Sequence, residues 1–137
     1  MSVQSQVGLN ENETNDRPIL PTNKTTKLSS TAFPEGGPIP KQSSRKGGNL
    51  SPPLSWSSVP ENTKSLAIVV DDPDAPDPAH PKCVWVHWVA YNIPPGSKAL
   101  PTGASGTVKS FEEGLNDWKH TGYEGPQPPK GTHRYFQ

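Results

Sequence analysis

Proline and glycine set the first limit on this chain: 18 prolines and 12 glycines stand in 137 residues, together about a fifth of the sequence. An interior proline removes a helical hydrogen bond and a glycine costs backbone entropy, so helices are few and connections long. No Gly-X-Y period accompanies them, which excludes collagen. The length suits one domain and is too small for two independent cores.

Two apolar stretches escape both residue types. Lys64 to Val70 is short, apolar and β-branched, and reads as a strand buried on both faces. Cys83 to Ile93 reads as a second strand. Its alternation puts Trp85, His87, Val89, Tyr91 and Ile93 on one face and Val84, Val86, Trp88 and Ala90 on the other, both largely covered. Thr107 to Phe111 fits a short strand, and another begins at His133. Residues 94–131 otherwise hold two Pro-Pro pairs and seven glycines, a composition for connections. Residues 1–27 have no aromatic residue and only six of Val, Leu, Ile and Met, so they read as a disordered tail ahead of a domain at 28–137.

Thirteen Lys and Arg balance thirteen Asp and Glu, which leaves no net field to hold nucleic acid. No apolar run is long enough to span a membrane, and no basic segment followed by an apolar one opens the chain. One cysteine, Cys83, builds neither a disulfide nor a multi-cysteine zinc site and suits a reducing compartment, so a cytoplasmic location is expected.

The densest chemistry is Asp71-Asp72-Pro73-Asp74-Ala75-Pro76-Asp77, read as a loop directly after the first strand. Each proline fixes its own φ and restricts the residue before it, so the direction of Asp72 is largely preset. The spacing is not that of a calcium loop, which needs glycine where Asp77 stands. Asp72, Asp74, His87 and His133 lack the close histidine spacing of a zinc helix, so no metal or cofactor is expected. His87 lies among aromatic residues and needs a partner for each ring nitrogen. The segment Gly125-Pro-Gln-Pro-Pro-Lys-Gly131-Thr-His133-Arg134-Tyr135 is stiffened by proline and delivers a second histidine, an arginine and a tyrosine. Free backbone N–H groups and an imidazolium suit a small anion or phosphate. No Gly-x-Ser-x-Gly, phosphate-loop or Gly-x-Gly-x-x-Gly motif is present, so binding is favoured over catalysis.

Six motifs carry a resemblance: Asn49-Leu-Ser-Pro-Pro-Leu-Ser-Trp56, Asp72-Pro-Asp-Ala-Pro76, His87-Trp-Val-Ala-Tyr-Asn-Ile-Pro94, Gly114-Leu-Asn-Asp117, Gly122-Tyr-Glu-Gly-Pro126 and Gly131-Thr-His-Arg-Tyr135. From Leu28 to Tyr135 the chain resembles the phosphatidylethanolamine-binding protein family, most of all its bacterial and plant branch, called Raf kinase inhibitor-like. The resemblance implies an all-β fold, a large antiparallel sheet packed on a smaller one with few short helices. It also implies one pocket for a small anionic or phosphorylated ligand such as the phosphatidylethanolamine headgroup, and a kinase or other signalling protein as partner. By the same resemblance Asp72, His87 and His133 line that pocket, with Asp74 supporting the loop, Gly125 at the rim and Tyr135 nearby.

Two departures from the family pattern stand out. Members usually continue past the His-Arg-Tyr strand, whereas this sequence stops at Gln137, so it reads as truncated, with C-terminal strands missing and a sheet edge open. Gln127 occupies a place where a small residue or cysteine is usual. Three functions stay open: a non-catalytic binding protein, a metal-independent hydrolase using the His and Asp residues, and a fragment without ligand function.

Overall fold

The computed structural model describes residues 26–137, together with the backbone pairing of 2–4 and 7–8. Nine strands are described: β1 (Ser2–Gln4), β2 (Val7–Gly8), β3 (Lys27–Ser29), β4 (Leu54–Ser57), β5 (Leu66–Ala75), β6 (Cys83–Ile93), β7 (Ala99–Leu100), β8 (Glu112–Glu113) and β9 (Arg134–Phe136). The larger sheet has the order β1-β9-β5-β6-β8, with β2 also against β5; the smaller has the order β3-β4-β7. β1 runs parallel to β9 and every other described pairing is antiparallel. The all-β, two-sheet architecture is the one expected, and the helical content among the described residues is one 3-10 turn, Lys41–Ser43. The expected tail at 1–27 lies for the most part outside the described residues. Among the described residues, no helix is long and apolar enough to cross a membrane.

The core fills the space between the two sheets. Leu66, Ile68 and Val70 from β5 and Trp88, Ala90 and Ile93 from β6 meet Leu54 and Trp56 from β4 and Leu100 from β7, closed by Phe111 and Tyr123. Each fully buried large apolar side chain contributes about 1.5–3 kcal/mol, so this inner face supplies most of the stability. The outer face is not sealed as the sequence suggested. Val69 and Val84 are 41% and 56% exposed and Tyr91 is also exposed, because an antiparallel sheet can pack one face and leave the other to solvent.

Three register shifts along β5 and β6 account for further differences. Leu66 pairs with Ile93 while Ile68 pairs with Ala90, so β6 carries one extra residue there. Asn92 takes a positive φ of 53°, which asparagine tolerates, and Ile93 swings onto the core face with Ala90 instead of sharing the face of Tyr91. A second shift falls at His87, between the pairs Val70–Trp88 and Asp71–Val86. The third lies between Asp72–Trp85 and Ala75–Cys83 and leaves Pro73 out of the pairing, so its missing N–H costs no ladder bond. β5 therefore runs on to Ala75, and the acidic stretch read as a loop is largely strand. Thr107 to Phe111 is not a strand: Thr107 donates its hydroxyl to Gly103 O at 2.6 Å and closes a turn, and pairing starts at Glu112.

Candidate functional site

The bulged end of the β5–β6 pair opens a cleft of about 380 Å³ against the loop before β9. Its buried floor is Asp72, His87, His133 and Tyr135; its walls are Ala75, Pro76, Trp85, Trp118, Pro128 and Pro129; Lys82, Cys83 and Gln127 stand exposed at the mouth. A β-bulge re-aims side chains, and both shifts that flank the cleft serve that end.

Asp72 and His133 are bound to each other. Asp72 Oδ2 lies 2.6 Å from His133 Nδ1, and Asp72 Oδ1 accepts the N–H of Asp74 at 2.9 Å. His133 Nε2 donates to the carbonyl of Lys130 at 3.0 Å, since a carbonyl can only accept. Both ring nitrogens are thus occupied within the protein, and each carboxylate oxygen accepts one hydrogen bond. One proton lies between Nδ1 and Oδ2, and the pair carries no net charge whichever atom holds it.

His87 keeps one nitrogen free. Its Nδ1 donates to Glu124 O at 2.6 Å, and its own carbonyl accepts the N–H of Glu124 at 3.0 Å. Among the described residues Nε2 takes no hydrogen bond. The rings of Trp118 and Tyr135 meet His87 edge-on at 4.9 and 5.2 Å between centroids. Burial pushes the imidazole below its ordinary pKa, against the hydrogen bond to Glu124 and the nearby carboxylates, so the ring is neutral at pH 7 and Nε2 is an acceptor.

Tyr135 is 1% exposed and its hydroxyl has no partner among the described residues. Burial, with Asp72 and Asp74 adding to it, raises its pKa and keeps the O–H protonated, a donor without an acceptor.

The remaining two expected residues, Asp74 and Gly125, lie outside the cleft lining. Asp74 does not line the cleft: its carboxylate takes Arg134 Nη2 at 2.8 Å, Nε at 2.9 Å and the Arg134 backbone N–H at 2.8 Å, which fixes the start of β9. Those bonds hold its carboxyl below the usual value despite burial. Gly125 is not at the rim as the resemblance implied. Its N–H donates to Asn49 Oδ1 at 2.7 Å, and a Cβ on it would lie 2.2 Å from the carbonyl oxygen of Ser43. Glycine is required there for close backbone approach, and no free N–H is presented to a ligand.

Sequence reasoning passed over Trp85, Trp118 and Glu124. Trp118 follows the Gly114–Asp117 motif directly, and Glu124 is inside Gly122-Tyr-Glu-Gly-Pro126, so both were within reach. Arg45 supports them together: its guanidinium lies 5.0 Å over the Trp118 ring, and its Nε is 3.3 Å from Glu124 Oε2.

Comparison with known proteins follows the same residues. The family model described as phosphatidylethanolamine-binding protein matches residues 29–137. A UPF0098 protein of Methanothermobacter thermautotrophicus is 46% identical over 112 residues, 80% of this chain and 71% of that one. Among solved structures, a Chlamydia trachomatis protein described as a homologue of the phosphatidylethanolamine-binding protein superposes with a TM-score of 0.73 at 41% identity, covering 82% of this chain and 72% of its own. YbcL of Escherichia coli, described as a new member of the mammalian family, superposes with a TM-score of 0.71 at 35% identity, over 80% of this chain and 72% of its own.

Proposed function

The chain belongs to the phosphatidylethanolamine-binding protein family, and from that premise we propose that its cleft is a non-catalytic binding site for a phosphate-bearing group. One observation carries the reading. Among the described residues His87 Nε2 at the cleft and the buried Tyr135 hydroxyl beside that ring have no partner, while each polar atom of the Asp72 carboxylate and the His133 ring already makes a hydrogen bond. A phosphoryl oxygen accepts from the tyrosine, and its neighbour meets His87. The proline and tryptophan walls suit the organic part of such a ligand.

The saturation of His133 and Asp72 also supports the non-catalytic part of the proposal. A general base needs a free lone pair within reach of the proton it takes; the His133 ring offers none, which leaves His87 Nε2 as the one unpaired ring nitrogen at the floor among the described residues. A lipid headgroup and a phosphorylated residue of a signalling protein, such as a kinase, present the same phosphate. A cytoplasmic site of action, expected from the single cysteine, belongs to the same proposal.

Titration of inorganic phosphate and phosphoethanolamine into isotope-labelled protein tests it. The expected result is saturable shifts at residues 87, 118, 124 and 133–135. Shifts confined to surface lysines overturn it. A phosphoserine peptide titrated in parallel ranks the two ligand sources.

A further inference from the structure

Three acidic side chains around the cleft each face a basic one. Asp72 faces His133 at 2.6 Å, Asp74 faces Arg134 at 2.8 Å and Asp77 faces Lys130 at 2.6 Å, so a short stretch of β5 and its turn pairs with a short stretch leading into β9. None of these three basic side chains is left over for a ligand. Lys82 at the mouth is exposed, and its charge is shared with solvent. The groups that bear on His87 are Asp72 from β5, Glu124 from the loop across it, and His133 and Tyr135 from the segment entering β9. Glu124 is itself engaged by Arg45 and by His120, each at 3.3 Å.

An anionic oxygen entering this neutral floor meets the lone pair of His87 Nε2, because Nδ1 already spends its proton on Glu124 O. Two acceptors repel unless a proton lies between them. We propose that the site takes its phosphate group together with one proton, shared between His87 Nε2 and a phosphoryl oxygen, and that its ligands are therefore singly charged phosphates. This rests on the phosphate-binding reading above. A phosphodiester has no proton of its own, so the free neutral imidazole must take one from solvent as the diester binds. A monoester, whose second pKa is about 6, brings the proton with it as the monoanion or, arriving as the dianion, takes one up from solvent on binding. Both routes end in a complex with the same number of protons, and burial of His87 disfavours the charged ring before binding, so the shared proton is taken up as the ligand enters.

Calorimetry with dimethyl phosphate and methyl phosphate on the full chain, in buffers of different ionisation heat, reads the proton directly. Uptake of about one proton per dimethyl phosphate is expected, with affinity falling about tenfold per pH unit from about pH 7 to about pH 8.5. His87→Gln offers an amide N–H that does not titrate, so its affinity for dimethyl phosphate is expected to be flat over that range. Wild-type binding in the cleft with no proton uptake and a flat profile overturns the proton-coupled inference and leaves the binding reading standing. Absence of binding by both esters from about pH 6 upward overturns the reading and the inference together. The wild-type calorimetry decides the matter even where the variant does not fold.

Discussion

Asp72 Oδ2 and His133 Nδ1 meet at 2.6 Å across 61 residues of sequence, with the histidine side chain fully buried and the aspartate nearly so. The contact joins the far half of β5 to the residue that precedes β9, and so closes one side of the cleft. A buried pair of this kind is a poor source of net stability, because desolvation offsets most of the attraction, but breaking it on one side is costly.

Asp72→Ala leaves His133 Nδ1 without a partner and is expected to cost about 3–5 kcal/mol in denaturant unfolding. Asp72→Asn keeps an oxygen for the Asp74 N–H and offers an amide N–H to the lone pair of a neutral His133. It is expected to lose about 2 kcal/mol or less. Equal losses for the two variants would show that the hydrogen-bond pattern at the pair is not as described.

Acid stability depends on Asp74. Arg134 holds its folded-state carboxyl below the ordinary 3.8, chiefly through the side-chain hydrogen bonds, so the pair's contribution is complete above that value and is lost as pH falls through the lower folded one. Half the Arg134 side chain is exposed, which limits the size of the effect. Urea midpoints measured below about pH 4 are expected to fall more steeply for wild type than for Asp74→Asn. Parallel acid limbs refute the assignment.

Gly125→Ala places a Cβ 2.2 Å from Ser43 O and 2.7 Å from Arg45 N, both backbone atoms. The expected loss is about 2–3 kcal/mol. Phosphate affinity falls with it, because the Glu124 carbonyl that holds His87 is the neighbouring group. Gly114→Ala, whose nearest contact is the Val89 side chain at 3.3 Å, is the milder comparison and is expected to stay within about 1 kcal/mol. Equal losses at both positions mean that the backbone can move aside at Gly125.

The two long strands were legible because apolar alternation and proline placement are local properties, whereas the convergence of Asp72, His87, His133 and Tyr135 was legible only through the resemblance that motif order carries. Register was hidden. A single residue inserted at Asn92 moves Ile93 to the core face, and nothing in an apolar alternation marks where a bulge will fall. Gly125 was misplaced, and the partner of the supporting Asp74 was out of sight, for a related reason: motif membership marked both, but what a carboxylate or an N–H faces depends on Arg134 and Asn49, which lie 60 and 76 residues away. The saturation of His133 needed the position of the Lys130 carbonyl, which depends on the backbone path of the loop.

Tyr135→Phe gives the most direct test, read as affinity for inorganic phosphate alongside the thermal midpoint. Removal of a buried hydroxyl that has no partner among the described residues is expected to leave the midpoint unchanged or raise it. If that hydroxyl donates to the ligand, affinity falls by at least about tenfold. Unchanged phosphate affinity in a variant with an unchanged midpoint would contradict the assignment of this cleft as a phosphate site.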